Sequence, residues 1–223
     1  MRLAMVSAVA MIVGASGAAA AHDWTGFYAG VNLGGAVADA PSDFALAGGP
    51  VFATAPNTLK GAIGGVQAGY GFRSGALAYG FETDLQFSTA EGRQEASCGC
   101  AVVASYGHDV PWFGTVRGRV GYANDLLLAY VTGGYAYARR NTTARAAAFP
   151  VDAVATWHDN VHGWTLGGGV EVGVGASWSV KLEYLHADFG SATTTWTPSG
   201  LPAISDTTDL RMDVVRAGLN YRF

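Results

Sequence analysis

Two cysteines one residue apart, Cys98-Gly99-Cys100, have the spacing in this chain that points most directly to chemistry. Three arrangements are open to them: a forced ring disulfide, an intermolecular bridge, or a pair of thiolate ligands. A Cys-x-Cys pair is too close for relaxed disulfide geometry. A zinc, copper or haem-iron site would need imidazole beside the sulfur, and His108, His158 and His162 follow in the chain. Known sites have tighter ligand spacing. The expectation is therefore a loop disulfide between Cys98 and Cys100, with no metal centre and no cofactor. A second set is His186 with Asp188 and Asp213, a base with two orienting acids. Acyl hydrolysis would also require a serine or cysteine within reach of that base. The chain has no Gly-x-Ser-x-Gly elbow, so it is expected not to be an enzyme. Gly64-Gly65 and Gly167-Gly168-Gly169 lack the lysine and hydroxyl residue of a phosphate loop.

The remaining charged residues are ordered by parity. Glu82 and Asp84 are two apart, as are Arg117 and Arg119, and Lys181 and Glu183; Glu171 and Arg216 complete the set. Side chains two apart share one face of a strand. Counted from their shared turn, Glu82 and Arg117 reach similar heights, as do Glu171 and Lys181, and Glu183 comes within range of Arg216. Buried charges persist only when paired, so these eight residues are expected to form a polar network on an enclosed face.

The elements that would hold them recur along the whole chain. Period-two alternation marks strands at 26–37, 61–73, 77–87, 112–122, 126–139, 162–174, 178–188 and 209–223. Connections alternate between tight turns (74–76, 123–125, 175–177) and long loops (38–60, 88–111, 140–161, 189–208). The opposite faces are apolar, and their aromatic residues gather at the strand ends. Phe27, Tyr79, Tyr122, Trp178, Tyr221 and Phe223 mark one end, and Phe87, Trp112, Tyr135, Trp164 and Tyr184 the other. Two aromatic girdles around an apolar band match the two interfaces of a membrane.

Composition agrees. The chain has 50% hydrophobic but only 13% charged residues, 32 glycines and a net charge of -4. Acids outnumber bases, which argues against a nucleic-acid partner. Arg2, the apolar run to Val13 and the small residues up to Ala21 read as a secretory signal peptide, residues 1–21, leaving a single domain over 22–223. No later segment is apolar enough for a membrane helix, so the remaining way to satisfy the backbone in a bilayer is a closed barrel. The fold class expected is all-β: a transmembrane antiparallel up-and-down β-barrel of about eight strands with long extracellular loops. Inward Gly30, Gly34, Gly69, Gly71, Gly167, Gly169 and Gly173 either leave room for a narrow pore or serve close backbone approach. A filled polar plug is the preferred reading, since eight strands enclose little space.

Trp24-Thr25-Gly26-Phe27-Tyr28-Ala29-Gly30-Val31-Asn32-Leu33-Gly34-Gly35 resembles the opening of the small alphaproteobacterial outer-membrane barrel proteins, and Val215 to Phe223 resembles their last strand. That group has the opacity-protein or OmpA-type barrel and includes surface antigens and haemin-binding, porin-like members. The resemblance implies location in the Gram-negative outer membrane, among its lipid and lipopolysaccharide. It also implies a structural or surface-interaction role, with a narrow channel or haem capture by the loops as alternatives. The ending at Tyr221 and Phe223 resembles the signal read by the outer-membrane assembly machinery.

Overall fold

The computed structural model describes residues 22–46, 49–55, 57–97, 102–148, 151–196 and 204–223. Residues 1–21, read as the leader, and Cys98 and Cys100 lie outside the described residues. Ten strands follow in order: β1 (Gly26–Asp39), β2 (Ser42–Leu46), β3 (Val51–Ala55), β4 (Thr58–Ser74), β5 (Leu77–Ser97), β6 (Val102–Ala123), β7 (Leu127–Ala148), β8 (Val151–Val174), β9 (Trp178–Trp196) and β10 (Ile204–Arg222). All pairings are antiparallel between chain neighbours from β4 to β10, and β1 pairs with both β4 and β10. Eight strands thus close into a barrel with no free edge.

The tight turns fall where expected. Gly75 and Gly175 adopt φ of 61° and 81°, a region that favours glycine. The long loops do not. Strands β5 to β10 run far past the outer aromatic girdle as paired hairpins, and β2 and β3 form a small hairpin that continues the sheet beside Ile204–Thr208 of β10. Inward burial continues into this region at Ala90, His108, Val110, Arg140 and Thr142, which gives the extra pairs a reason to persist. Bulges hid the continuity. Pro111, which reads as a loop boundary, lies where β6 shifts register against both neighbours, a site that tolerates a missing N–H. Gly190 does the same in β9, at φ 67° opposite the shift between Asp209 and Arg211.

The outer wall exposes Val31, Leu33, Val66, Val116, Val131 and Leu166 between the girdles. The first and last strands also meet through their aromatic ends: the Phe223 amide donates to the Phe27 carbonyl, and the two rings lie 5.6 Å apart.

Candidate functional site

Strand parity turns the charged residues inward, and together they form a layer across the lumen. Arg117 of β6 stands at its centre. Its Nη2 is 2.6 Å from Glu82 Oε1 and 3.0 Å from Asp84 Oδ2, both on β5, and its Nη1 is 3.0 Å from Glu183 Oε1 on β9. Arg216 of β10 binds Glu183 at 2.6 Å and Asp84 at 3.0 Å. Lys181 lies opposite Glu171 in register, but its ammonium reaches Glu82 at 2.8 Å. Glu171 takes Arg119 at 3.2 Å and also accepts from Ser179 and Asn220. Four carboxylates thus meet four cations, all deeply buried, in an arrangement where each charge has hydrogen-bonded partners.

Two tyrosines, Tyr130 placed inward by strand parity and Tyr28, complete this layer. The Tyr28 hydroxyl donates to Glu82 at 2.8 Å and that of Tyr130 to Glu183 at 2.9 Å. The Arg119 guanidinium lies 4.5 Å above the Tyr28 ring. The sequence signal was available in the inward glycines across the wall. A side chain on Gly69 would run into the Tyr28 ring, and one on Gly169 into Tyr130. These glycines therefore house aromatic rings instead of leaving a pore. Gly69→Val is expected to evict Tyr28 and leave Glu82 short of a donor. The loss should be about 2–4 kcal/mol of unfolding free energy, read from the urea midpoint of vesicle-embedded protein.

Below this layer the segment just before β1, residues 22–25, fills the mouth of the barrel on the side of the tight turns. Trp24 is buried, its Nε1 donating to Asn124 O at 2.6 Å, and Arg222 donates to the Trp24 carbonyl at 2.6 Å. His22 stacks 4.5 Å from Trp24, hydrogen-bonds to Gly175 O and occupies the space a side chain at Gly173 would need. At the rim, Arg73 pairs with Asp125 at 3.2 Å.

Above the ionic layer lies an apolar collar built from Leu59, Ile63, Phe113, Leu185, Leu210 and Met212 with inward alanines. The sequence reading assigned polar residues and glycines to the lining and missed this collar. Beyond it, in the hairpins above the outer girdle, His108 hydrogen-bonds to Thr142 at 3.0 Å, and Arg140 pairs with Asp159 at 3.2 Å. Burial first, and the Arg140 guanidinium second, hold the His108 imidazole down at about 4. The unfolded chain takes up that proton near 6.5. Between these values the unfolded state binds the proton and the folded state does not, so stability falls as pH drops through the window and levels off below about 4. Protection of the β6 and β7 amides above Trp112, taken relative to their intrinsic exchange rates at each pH, should fall over that window, and His108→Gln should remove the fall.

The other candidates separate. His108 faces the lumen, whereas His158 and His162 face outward, bonded to Asn141 and to Tyr135. Among the described residues they share no site. His186 does meet Asp213, at 2.8 Å, on the outer wall, and Tyr184 donates to the same carboxylate oxygen at 2.7 Å. Asp188 instead pairs with Arg211 at 3.3 Å.

A barrel closed on itself, apolar outside between aromatic girdles and charged within, is the architecture of an integral outer-membrane protein. The chain belongs to the outer membrane protein beta-barrel domain family, whose model matches residues 5–223. It is 34% identical over 207 residues to a 31 kDa outer-membrane immunogenic protein of Brucella melitensis, covering 90% of this chain and 84% of that one. It is also 33% identical over 171 residues to a 22 kDa outer membrane protein of Rhizobium leguminosarum, covering 77% and 67%. The fold is similar to the outer membrane protein OprG of Pseudomonas aeruginosa, with a TM-score of 0.62 at 15% identity, over 92% of this chain and 99% of that one. The protein lies in the outer membrane, in contact with its lipid.

Proposed function

We propose that this protein is a closed, non-catalytic barrel that contributes to envelope integrity and presents its paired outer hairpins to the exterior. The observation that carries the reading is Arg117, which ties β5 to β9 across the lumen through Glu82, Asp84 and Glu183. An ion-paired layer of this kind, capped by an apolar collar, supports a lumen closed to water and ions. The hairpins give the outer face an extended surface, and the Brucella relative's description as immunogenic supports its exposure to other molecules. A catalytic role finds little support in the His186–Asp213 pair, whose third member is the phenol of Tyr184 and which faces outward beside Trp164. Export by removal of residues 1–21, and recognition of Tyr221 and Phe223 by the assembly machinery, belong to the same proposal.

The test is conductance across a planar bilayer with folding verified by heat-dependent gel mobility. Wild-type protein should stay silent. Discrete, reproducible openings would overturn the closed-barrel reading in favour of a narrow channel.

A further inference from the structure

The bulge in β6 does more than prolong a hairpin. Asp109 and Trp112 are three residues apart, so an unbroken strand would turn them to opposite faces. The register shift between them sets Asp109 opposite Asn141 and Trp112 opposite Arg139, and these two partners share the outward face of β7. Strand β8 adds His158 opposite Asn141 and Asn160 opposite Arg139. Two rows of three side chains thus stand together on the outer wall, in a patch about 10 Å wide and 7 Å tall.

The upper row is fixed from within. Asn141 donates to Asp109 Oδ2 at 2.7 Å, and its carbonyl oxygen hydrogen-bonds to His158 Nδ1 at 2.7 Å. The lower row is unengaged. Among the described residues the Arg139 guanidinium has no ion pair, and neither the Asn160 amide nor the Trp112 indole N–H has a hydrogen bond. His158 and Asn160 are exposed and the other four partly so, which leaves the patch open to what surrounds the wall.

What surrounds it follows from its height. Trp112 belongs to the outer aromatic girdle and meets Tyr137 edge-on at 6.0 Å. The patch is therefore continuous with the lipid-contacting wall and begins at the level of the outer head groups. A free guanidinium there favours phosphate. The Asp109 carboxylate repels phosphate but accepts from hydroxyls, and the indole offers an apolar face to a ring. A phosphate carried on hydroxyl-bearing rings satisfies all three, whereas a phospholipid phosphate satisfies only the first.

We propose that this patch holds the phosphorylated sugar head group of one outer-leaflet glycolipid, with Arg139 on its phosphate and Trp112 against a ring. The patch lies outside the barrel, so the inference goes beyond the closed-lumen reading and does not depend on it.

Folded protein in detergent, titrated with rough lipopolysaccharide at fixed ionic strength and followed by native mass spectrometry, tests this. Wild-type protein should retain the glycolipid saturably, near one per chain. Arg139→Gln should weaken binding by about tenfold or more, and Trp112→Ala by several-fold. Lys60→Gln, which removes an outward cation on β4, should leave the affinity unchanged. Excess phosphatidylglycerol should not displace the glycolipid; displacement would mean a site for phosphate alone and would overturn the proposal. The absence of a saturable adduct would overturn it too, as would undiminished affinity in both Arg139→Gln and Trp112→Ala. An equal loss in Lys60→Gln and Arg139→Gln would show diffuse charge attraction and is a further overturning result. If Arg139→Gln fails to fold, Arg139→Lys takes its place, and unchanged affinity in that variant and in Trp112→Ala counts against the site.

Discussion

Arg117→Met should lower the unfolding free energy by about 3–5 kcal/mol, the usual cost of removing one partner from a buried ion cluster. The reason lies in what stays behind. Glu82, Asp84 and Glu183 all point at this guanidinium, and the substitution leaves three buried carboxylates with fewer cations between them. Arg117→Lys should recover only part of the loss, because one ammonium cannot reach from Glu82 to Glu183 as a planar fork does. Combining Arg117→Met with Glu183→Gln should be less destabilising than the sum of the two single changes. Urea unfolding in lipid vesicles, followed by tryptophan fluorescence, provides the measurement. A loss under about 1 kcal/mol in Arg117→Met would mean that water reaches this layer and screens it.

The second large effect is expected at Trp24. Trp24→Ala removes a buried indole and its bond to Asn124, and large-to-small changes of this kind cost about 3–5 kcal/mol in a core. Because Trp24 sits on the segment before β1, outside the sheet, the barrel need not unfold to register the loss: residues 22–25 can undock from the mouth. Their amides should therefore exchange roughly a hundredfold faster, with β5 to β7 unchanged, and the mass of proteolytic fragments would report both. Equal exchange in variant and wild type would show that Arg222 and His22, not Trp24, hold the segment in place.

How much of this was legible in the sequence differs by scale. Period-two alternation located all eight barrel strands and the three tight turns, and it fixed the side of the wall that each charged residue faces. Counting from the turn brought Glu82 beside Arg117, because the two lie on adjacent strands. Such counting cannot see across a lumen. Lys181 was matched to its register neighbour Glu171, yet its ammonium crosses to Glu82, and Arg216 crosses to Asp84 in the same way. The outer ends were misjudged for a different reason. Proline and glycine usually punctuate strands, but Pro111 and Gly190 occupy bulges, after which the ladders resume. The inward alanines of the collar carried no signal, because small apolar residues fit either face of a barrel strand.

Strand β1 pairs with β10 from Tyr28 opposite Arg222 through Asp39 opposite Arg211, so the ring is sealed by residues nearly a full chain length apart. At that seam Gly30 and Gly34 bring β1 against the backbone of Leu219 and Val215, leaving no room there for a side chain. Contacts of such separation form late and slowly. Until they do, the sheet has two raw edges, each able to capture a strand from another chain. The lifetime of that unsealed intermediate, more than the stability of the finished ring, should govern how many molecules reach the membrane intact. Substitutions at Gly30 or Gly34 would then show first as lost yield and only later as a lowered unfolding midpoint.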